Sequence, residues 1–262
     1  MSRTVRLRVV TALVLTEVLL ALCVTGHAEG QGLSVAAASD LQAVLPVLAA
    51  GFEKETGRKV TTSFGSSGNF FTQIQNGAPF DVFLSADIDY PTRLEASGSV
   101  VRGSVMQYAT GHLVLWSRND SGVDVKRGFA VLIEPRVRHI AIANPEHAPY
   151  GRAAVAALRH EGMYDRVRPK LVLGENISQT AQFAQTGNSE VGLVALSLAM
   201  SPAMKASGSY LEIPTSWYPP IAQAGAVVAS SKQRELAQEF LRFLKRDSTV
   251  RVLQSYGFAV PR

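Results

Sequence analysis

The chain has 262 residues, 47% of them hydrophobic and 18% charged, enough for one large buried core or two of ordinary size. Its formal charge of +5 is mild, and no basic run is interleaved with aromatics, which argues against nucleic acid as a partner. A single cysteine excludes an internal disulfide framework.

Arg3, Arg6 and Arg8 precede a largely apolar run from Val9 to Val24, interrupted by Glu17, and Gly26-His27-Ala28 offers small residues where a leader peptidase needs them. This pattern predicts a secretory signal peptide, residues 1–28, cleaved after about Ala28. The run is short for a membrane span of about 20 apolar residues and carries a carboxylate. Leu22 just before Cys23 makes a poor lipoprotein site. Without the three arginines and Glu17 the charge falls to +3.

From there Leu33 to Ala38 predicts a strand running straight into a helix. Ser39 and Asp40 are both good N-caps, and Leu41, Val44, Leu45, Leu48 and Phe52 recur at helical spacing. Gly57 ends that helix, and Lys59 to Phe64 is a second strand. A second Ser-bearing helix start follows in Phe64-Gly-Ser-Ser67-Gly-Asn-Phe-Phe71. Asp81 to Ser85 is a strand and Tyr90 to Ala96 a helix. This alternation predicts parallel sheets flanked by helices. Leu113 to Trp116 breaks the rhythm. Strands at 138–143, 169–173 and 191–195 then alternate with helices at 150–162 and 177–186. A Pro-, Ser- and Gly-rich stretch (201–220) contains one strand, Tyr210 to Ile213. A strand at 224–229 and two helices, 232–245 and 249–256, close the chain.

Two α/β units of similar size result, and the last helices have no place in the second. The expected fold is therefore α/β, two doubly wound lobes joined by hinge strands with a ligand cleft between them. Residues 29–112 and 223–262 form lobe 1, and residues 113–222 form lobe 2. Helix starts carry free N–H groups and a positive dipole end, so Ser39 and Ser67 suggest one shared oxyanion site at the carboxyl ends of the strands. Tyr150 and Ile177 fall at the same level.

Several stretches resemble the molybdate-binding proteins of ABC importers, which are two-lobed periplasmic binding proteins. They are Ala36-Ala-Ala-Ser39-Asp-Leu, Phe64-Gly-Ser-Ser67-Gly, Gly77-Ala-Pro-Phe-Asp-Val-Phe-Leu-Ser-Ala-Asp87, Asn144-Pro-Glu-His-Ala-Pro-Tyr-Gly151 and Gly192-Leu-Val-Ala-Leu-Ser197. They span nearly the whole mature chain in the family's order. The resemblance implies a non-enzymatic, monomeric, periplasmic protein that takes up molybdate or tungstate without a cofactor or a direct protein–metal bond, and delivers it to membrane permease subunits. It implies hydroxyl and amide donors at Ser39 and Ser67, and backbone N–H donors at Tyr150 and Ile177. Some members place a Tyr hydroxyl where this chain has Ala195; Tyr150 then replaces it. Asp40 would be repelled by a dianion, so its side chain is expected to cap the helix or turn away.

Two rivals stay open. The same fold could hold sulfate, thiosulfate, phosphate or a small organic acid. A secreted hydrolase could use Ser39 or Ser67 as nucleophile, which requires a histidine such as His112 or His147 within reach. The effector domain of a transcription regulator shares the hinged fold, but the signal segment and the lack of a DNA-binding domain argue against it. His112, His139, His147 and His160 lack metal-ligand spacing, and Gly-x-Ser-x-Gly is absent.

Overall fold

The computed structural model describes residues 32–261, so the segment read as a signal peptide lies outside the described residues. In chain order the strands are β1 (Leu33–Ala38), β2 (Val60–Gly65), β3 (Val82–Ser85), β4 (Met106–Gly111), β5 (Leu113–Arg118), β6 (Ile140–Ala143), β7 (Leu171–Gly174), β8 (Val191–Ala195), β9 (Gly208–Glu212) and β10 (Ile221–Val227). The longer helices are α1 (Leu45–Thr56), α2 (Ser67–Gln75), α3 (Asp89–Ala96), α4 (Pro149–His160), α5 (Ile177–Thr186), α6 (Arg234–Leu244) and α7 (Asp247–Ser255).

The strands form two five-stranded sheets, ordered β2-β1-β3-β10-β4 and β7-β6-β8-β5-β9. Each begins with three parallel strands, as the strand–helix alternation predicts. Each then becomes antiparallel, through β10 in lobe 1 and β5 in lobe 2. The sheets are therefore mixed rather than purely parallel. The cause is the crossover: β4 ends at Gly111 in one sheet, and β5 starts at Leu113 in the other. The chain returns between β9 and β10, so β10 enters lobe 1 between strands made much earlier.

Side-chain alternation along β1 and β3 divides the core of lobe 1. Val35, Ala37, Val82 and Leu84 face one cluster with Leu48, Phe52, Phe240 and Phe243, whereas Ala36 and Phe83 face another with Phe70, Phe71, Tyr90 and Leu94. Thus α1 and α6 cover one face, and α2 and α3 the other. The Phe52 ring meets Phe240 and Phe243 edge-on at centroid distances of 5.0 and 5.5 Å. The final helices, which had no place in the second unit, are thereby fastened to lobe 1. A third cluster surrounds the sheet of lobe 2, around Trp116, Ile142 and Leu193.

The first helix differs from the expectation. Ser39–Leu41 is a single 3-10 turn, and α1 starts only at Leu45. Pro46 is the reason: it fits the first turn of α1, but an unbroken helix would set its ring against the Gln42 carbonyl. Gly57, at φ +68°, ends α1 in the left-handed conformation. No helix among the described residues is long and apolar enough to cross a membrane.

Candidate functional site

The carboxyl ends of β1 and β2 face the start of α4 and α5 across the gap between the lobes. Ala38, Ser39, Asp40, Gly65, Ser66, Ser67 and Ala86 of lobe 1 line a pocket there with Ala148, Pro149, Tyr150 and Ile177 of lobe 2. Four sequence-predicted residues (Ser39, Ser67, Tyr150 and Ile177) and Asp40 are therefore brought together. Ala195 is not. It lies at the end of β8 opposite Leu113, packed in the core of lobe 2.

The capping expectations also need correction. Ser66, not Ser67, caps α2, accepting the Asn69 N–H, and Ala38 precedes the turn at Ser39 with no side-chain cap. This frees Ser67, whose Oγ accepts the Ala86 N–H at 2.9 Å and so turns its own O–H to another partner. Ser39 Oγ accepts the Ser178 N–H and donates to Asn176 Oδ1, both at 3.2 Å and both across the cleft.

Three helices begin at the pocket, and each leaves its first N–H without an acceptor among the described residues. In α2, Gly68 donates to the His147 carbonyl and Asn69 to Ser66, leaving Ser67 N–H. In α4, Pro149 has no N–H, and Gly151 and Arg152 bond to the Ala148 carbonyl, leaving Tyr150 N–H. In α5, the Asn176 side chain accepts from Ser178 and Gln179, leaving Ile177 N–H. Orphan donors of this kind, at the positive ends of helix dipoles, suit an anion. Among the described residues, no Lys, Arg or His lines the pocket. Among the described residues no cluster of His, Cys, Asp or Glu could hold a metal ion.

Asp40 neither caps nor turns outward. It is fully buried, its Oδ2 accepting from Tyr150 Oη at 3.0 Å and from Gln223 Nε2 at 2.6 Å. Burial pushes its carboxyl up to about 6, against the lowering effect of these hydrogen bonds and of the Asp40 and Leu41 backbone N–H groups. Burial together with Asp40's charge holds the Tyr108 and Tyr150 phenols well above their usual value. The Tyr150 hydroxyl is thus engaged with Asp40, which leaves that residue's backbone N–H as its donor to the pocket.

Outside the pocket the lobes are clasped at the rim. Arg152 reaches from α4 to Asp87 and to the Tyr90 hydroxyl. Asn69 donates to Glu175 at 2.6 Å, and Ser66 Oγ lies 2.9 Å from His147 Nδ1. This last contact is the serine–histidine approach that the hydrolase rival asked for, but it falls on Ser66. That hydroxyl is a buried helix cap, and the nearby Gly68 N–H, which would have to stabilise an oxyanion, is held by the His147 carbonyl. Neither Ser39 nor Ser67 has a histidine partner among the described residues.

The sequence reading missed Ser66, Asn176, Ser178 and Gln223. Asn176 directly precedes Ile177 and is a cap-forming residue. Gln223 is a lone amide in the apolar strand Ile221–Val227, a pattern that marks a buried polar partner.

Two mixed sheets joined by two crossings, with a polar pocket between them, define a two-lobed solute-binding protein. A family profile described as bacterial extracellular solute-binding protein matches residues 33–259. The molybdate-binding protein ModA of Azotobacter vinelandii is 42% identical over 233 residues, covering 89% of this chain and 92% of that protein. ModA of Rhodobacter capsulatus is 41% identical, covering 79% of this chain and 80% of that protein. The solved periplasmic molybdate-binding protein of Azotobacter vinelandii superposes with a TM-score of 0.83 at 36% identity, over 88% of this chain and all of that one. The chain belongs to the bacterial extracellular solute-binding protein family. These relatives are binding proteins rather than enzymes, and the family places the chain outside the cytoplasm.

Proposed function

We infer that this chain captures molybdate, and tungstate as its chemical analogue, in the cleft and delivers it to the membrane permease of an ABC importer. The observation that carries this reading is the convergence of three orphan helix N–H groups and the Ser39 and Ser67 hydroxyls on one pocket without a cation. A tetrahedral dianion without protons offers only acceptor lone pairs. Neutral donors suit it, and an anion carrying its own O–H would need an acceptor as well. The named relatives bring molybdate to the front of the tetrahedral dianions.

Seating an oxyanion there lets Ser39 exchange its bonds to Asn176 and Ser178 for bonds to the anion. Binding then replaces protein–protein contacts across the cleft with protein–anion–protein ones, and the closed form is what the permease recognises. In this reading the protein is a monomer, has no catalytic role, and reaches the periplasm by a signal cleaved after about Ala28. Ser39, Ser67, Tyr150 and Ile177 hold the ligand.

The test is calorimetric titration of the chain lacking its first 28 residues with molybdate, tungstate and sulfate in separate runs. Tight one-to-one binding of the first two with little response to sulfate is expected. Sulfate, phosphate or an organic acid binding in place of molybdate would keep the transport role and change its cargo. Silence toward every anion would overturn the assignment of the pocket.

A further inference from the structure

The pocket is built of donors, with one exception. Asp40 lines the cavity, is completely buried, and has one oxygen accounted for: Oδ2, held by Tyr150 and Gln223. Its Oδ1 is buried without a hydrogen-bond partner among the described residues. The residue cannot swing away, because Tyr150 and Gln223 grip the side chain and Ser197 Oγ donates to its backbone carbonyl at 2.7 Å. A bare carboxylate in this place would repel a dianion. A proton on Oδ1 converts the one unpartnered acceptor into one more donor, which is the chemistry of the rest of the pocket.

Resting on the oxyanion reading above, we propose that Asp40 is a fifth residue in contact with the bound anion and holds one proton between its Oδ1 and an anion oxygen. The proton comes from solvent, and the only bond formed is O–H. The surroundings favour it. Burial already raises the carboxyl toward neutrality, and a dianion placed beside it acts in the same direction. Facing Asp40 are Tyr108 from β4, Tyr150 from α4 and the neutral Gln223 from β10, with Tyr218 acting through its field on Tyr150; the Asp40 and Leu41 backbone N–H groups beside the carboxyl lower its pKa, and burial outweighs them. Burial keeps all three phenols protonated in the neutral range. No Lys, Arg or His bonds to Asp40 among the described residues, so no cation is at hand to take the place of the proton. Asp40 thereby makes capture depend on pH, although every other donor in the pocket is insensitive to it.

The experiment is titration of the same mature chain with molybdate in buffers of different ionisation heat at pH 8, repeated between pH 7 and 8.5, for the wild type and Asp40→Asn. The wild type should take up close to one proton per anion and lose affinity about tenfold per pH unit. In Asp40→Asn the amide oxygen can keep Tyr150 and Gln223 while Nδ2 donates from the place of Oδ1. The variant should take up no proton, vary less than about twofold with pH, and bind about tenfold or more tightly than wild type at pH 8. Wild-type binding with no proton exchange and a flat pH profile overturns the proposal, as does uptake that persists in the variant. The wild-type measurement stands alone if the variant does not fold. No binding of any oxyanion at any pH would instead overturn the pocket assignment beneath it.

Discussion

Replacing Asp40 by Asn should stabilise the protein at neutral pH even before any ligand is added. The carboxyl titrates at about 6 in the folded state and at 3.8 in an open chain, so folding raises its pKa. The folded state therefore binds the proton more tightly than the unfolded one. Below pH 3.8 both states are protonated and Asp40 costs nothing. As pH rises from there toward 6 the unfolded chain ionises first, and stability falls. Above that window the full difference of about two pH units applies, a loss of about 3 kcal/mol. Asn has nearly the same shape, keeps the acceptor for Tyr150 and Gln223, and carries no charge. Its amide nitrogen is a buried donor where Oδ1 was a buried acceptor, so that cost is common to both proteins. The variant and wild type should match near pH 4. By pH 7.5 the variant should lead by about 2–3 kcal/mol, which for a protein of this size is a rise in Tm of about 5–10 °C. Thermal unfolding of both proteins at the two pH values measures this, and other titrating groups cancel in the comparison. A variant destabilised by the same amount at both pH values would refute the argument, because the carboxylate would then carry no cost of burial.

Ser39→Ala and Ser67→Ala should each weaken anion binding by about 1–3 kcal/mol in calorimetric titration. Ser67→Ala should also lower Tm, since it strips the Ala86 N–H of its buried acceptor, whereas Ser39→Ala removes only contacts across the cleft. Arg152→Ala breaks the clasp with Asp87 and Tyr90. The pair is partly exposed, so the loss should be under about 1 kcal/mol, read in stopped-flow as ligand release faster by a few fold and more so at low salt. Gly68→Ala places a methyl 2.7 Å from the His147 carbonyl and 2.8 Å from the Tyr90 hydroxyl. It should prop the lobes apart, visible as a larger radius of gyration with anion present and affinity reduced about tenfold or more, with little change in Tm.

The readable parts of the sequence were those where local chemistry and tertiary packing agree. Helix α5 was legible because its apolar positions, which face β6 and β8, recur at helical spacing; the Asn176 cap and the closing Gly187 at φ +84° agree with that pattern. Strand β8 is a plain buried run. Strand β4, Met106–Gly111, gave no clear signal: Gln107 and Thr110 interrupt any apolar run, and its pairing with β10 makes it a strand. Ser66 and Ser67 are equally good caps by composition, and the backbone, extended through Ser66 and helical from Ser67, decides between them. The family resemblance carried Ser39, Ser67, Tyr150 and Ile177 to one place, but it could not give the surroundings of Asp40. Those depend on Gln223, 183 residues away in sequence.

The placement of β10 has a consequence for how the molecule is made. The sheet of lobe 2 comes from one continuous stretch, from Leu113 to Glu212, and needs nothing from the rest of the chain. Lobe 1 is different: β3 and β4 are linked only through β10, which pairs with both, and Phe240 and Phe243 must arrive before Phe52 is covered. The part of the protein synthesised first is therefore the part completed last. Until roughly its final 40 residues emerge, the stretch from β1 to β4 keeps its core unfilled, because the closing contacts are the most distant in sequence.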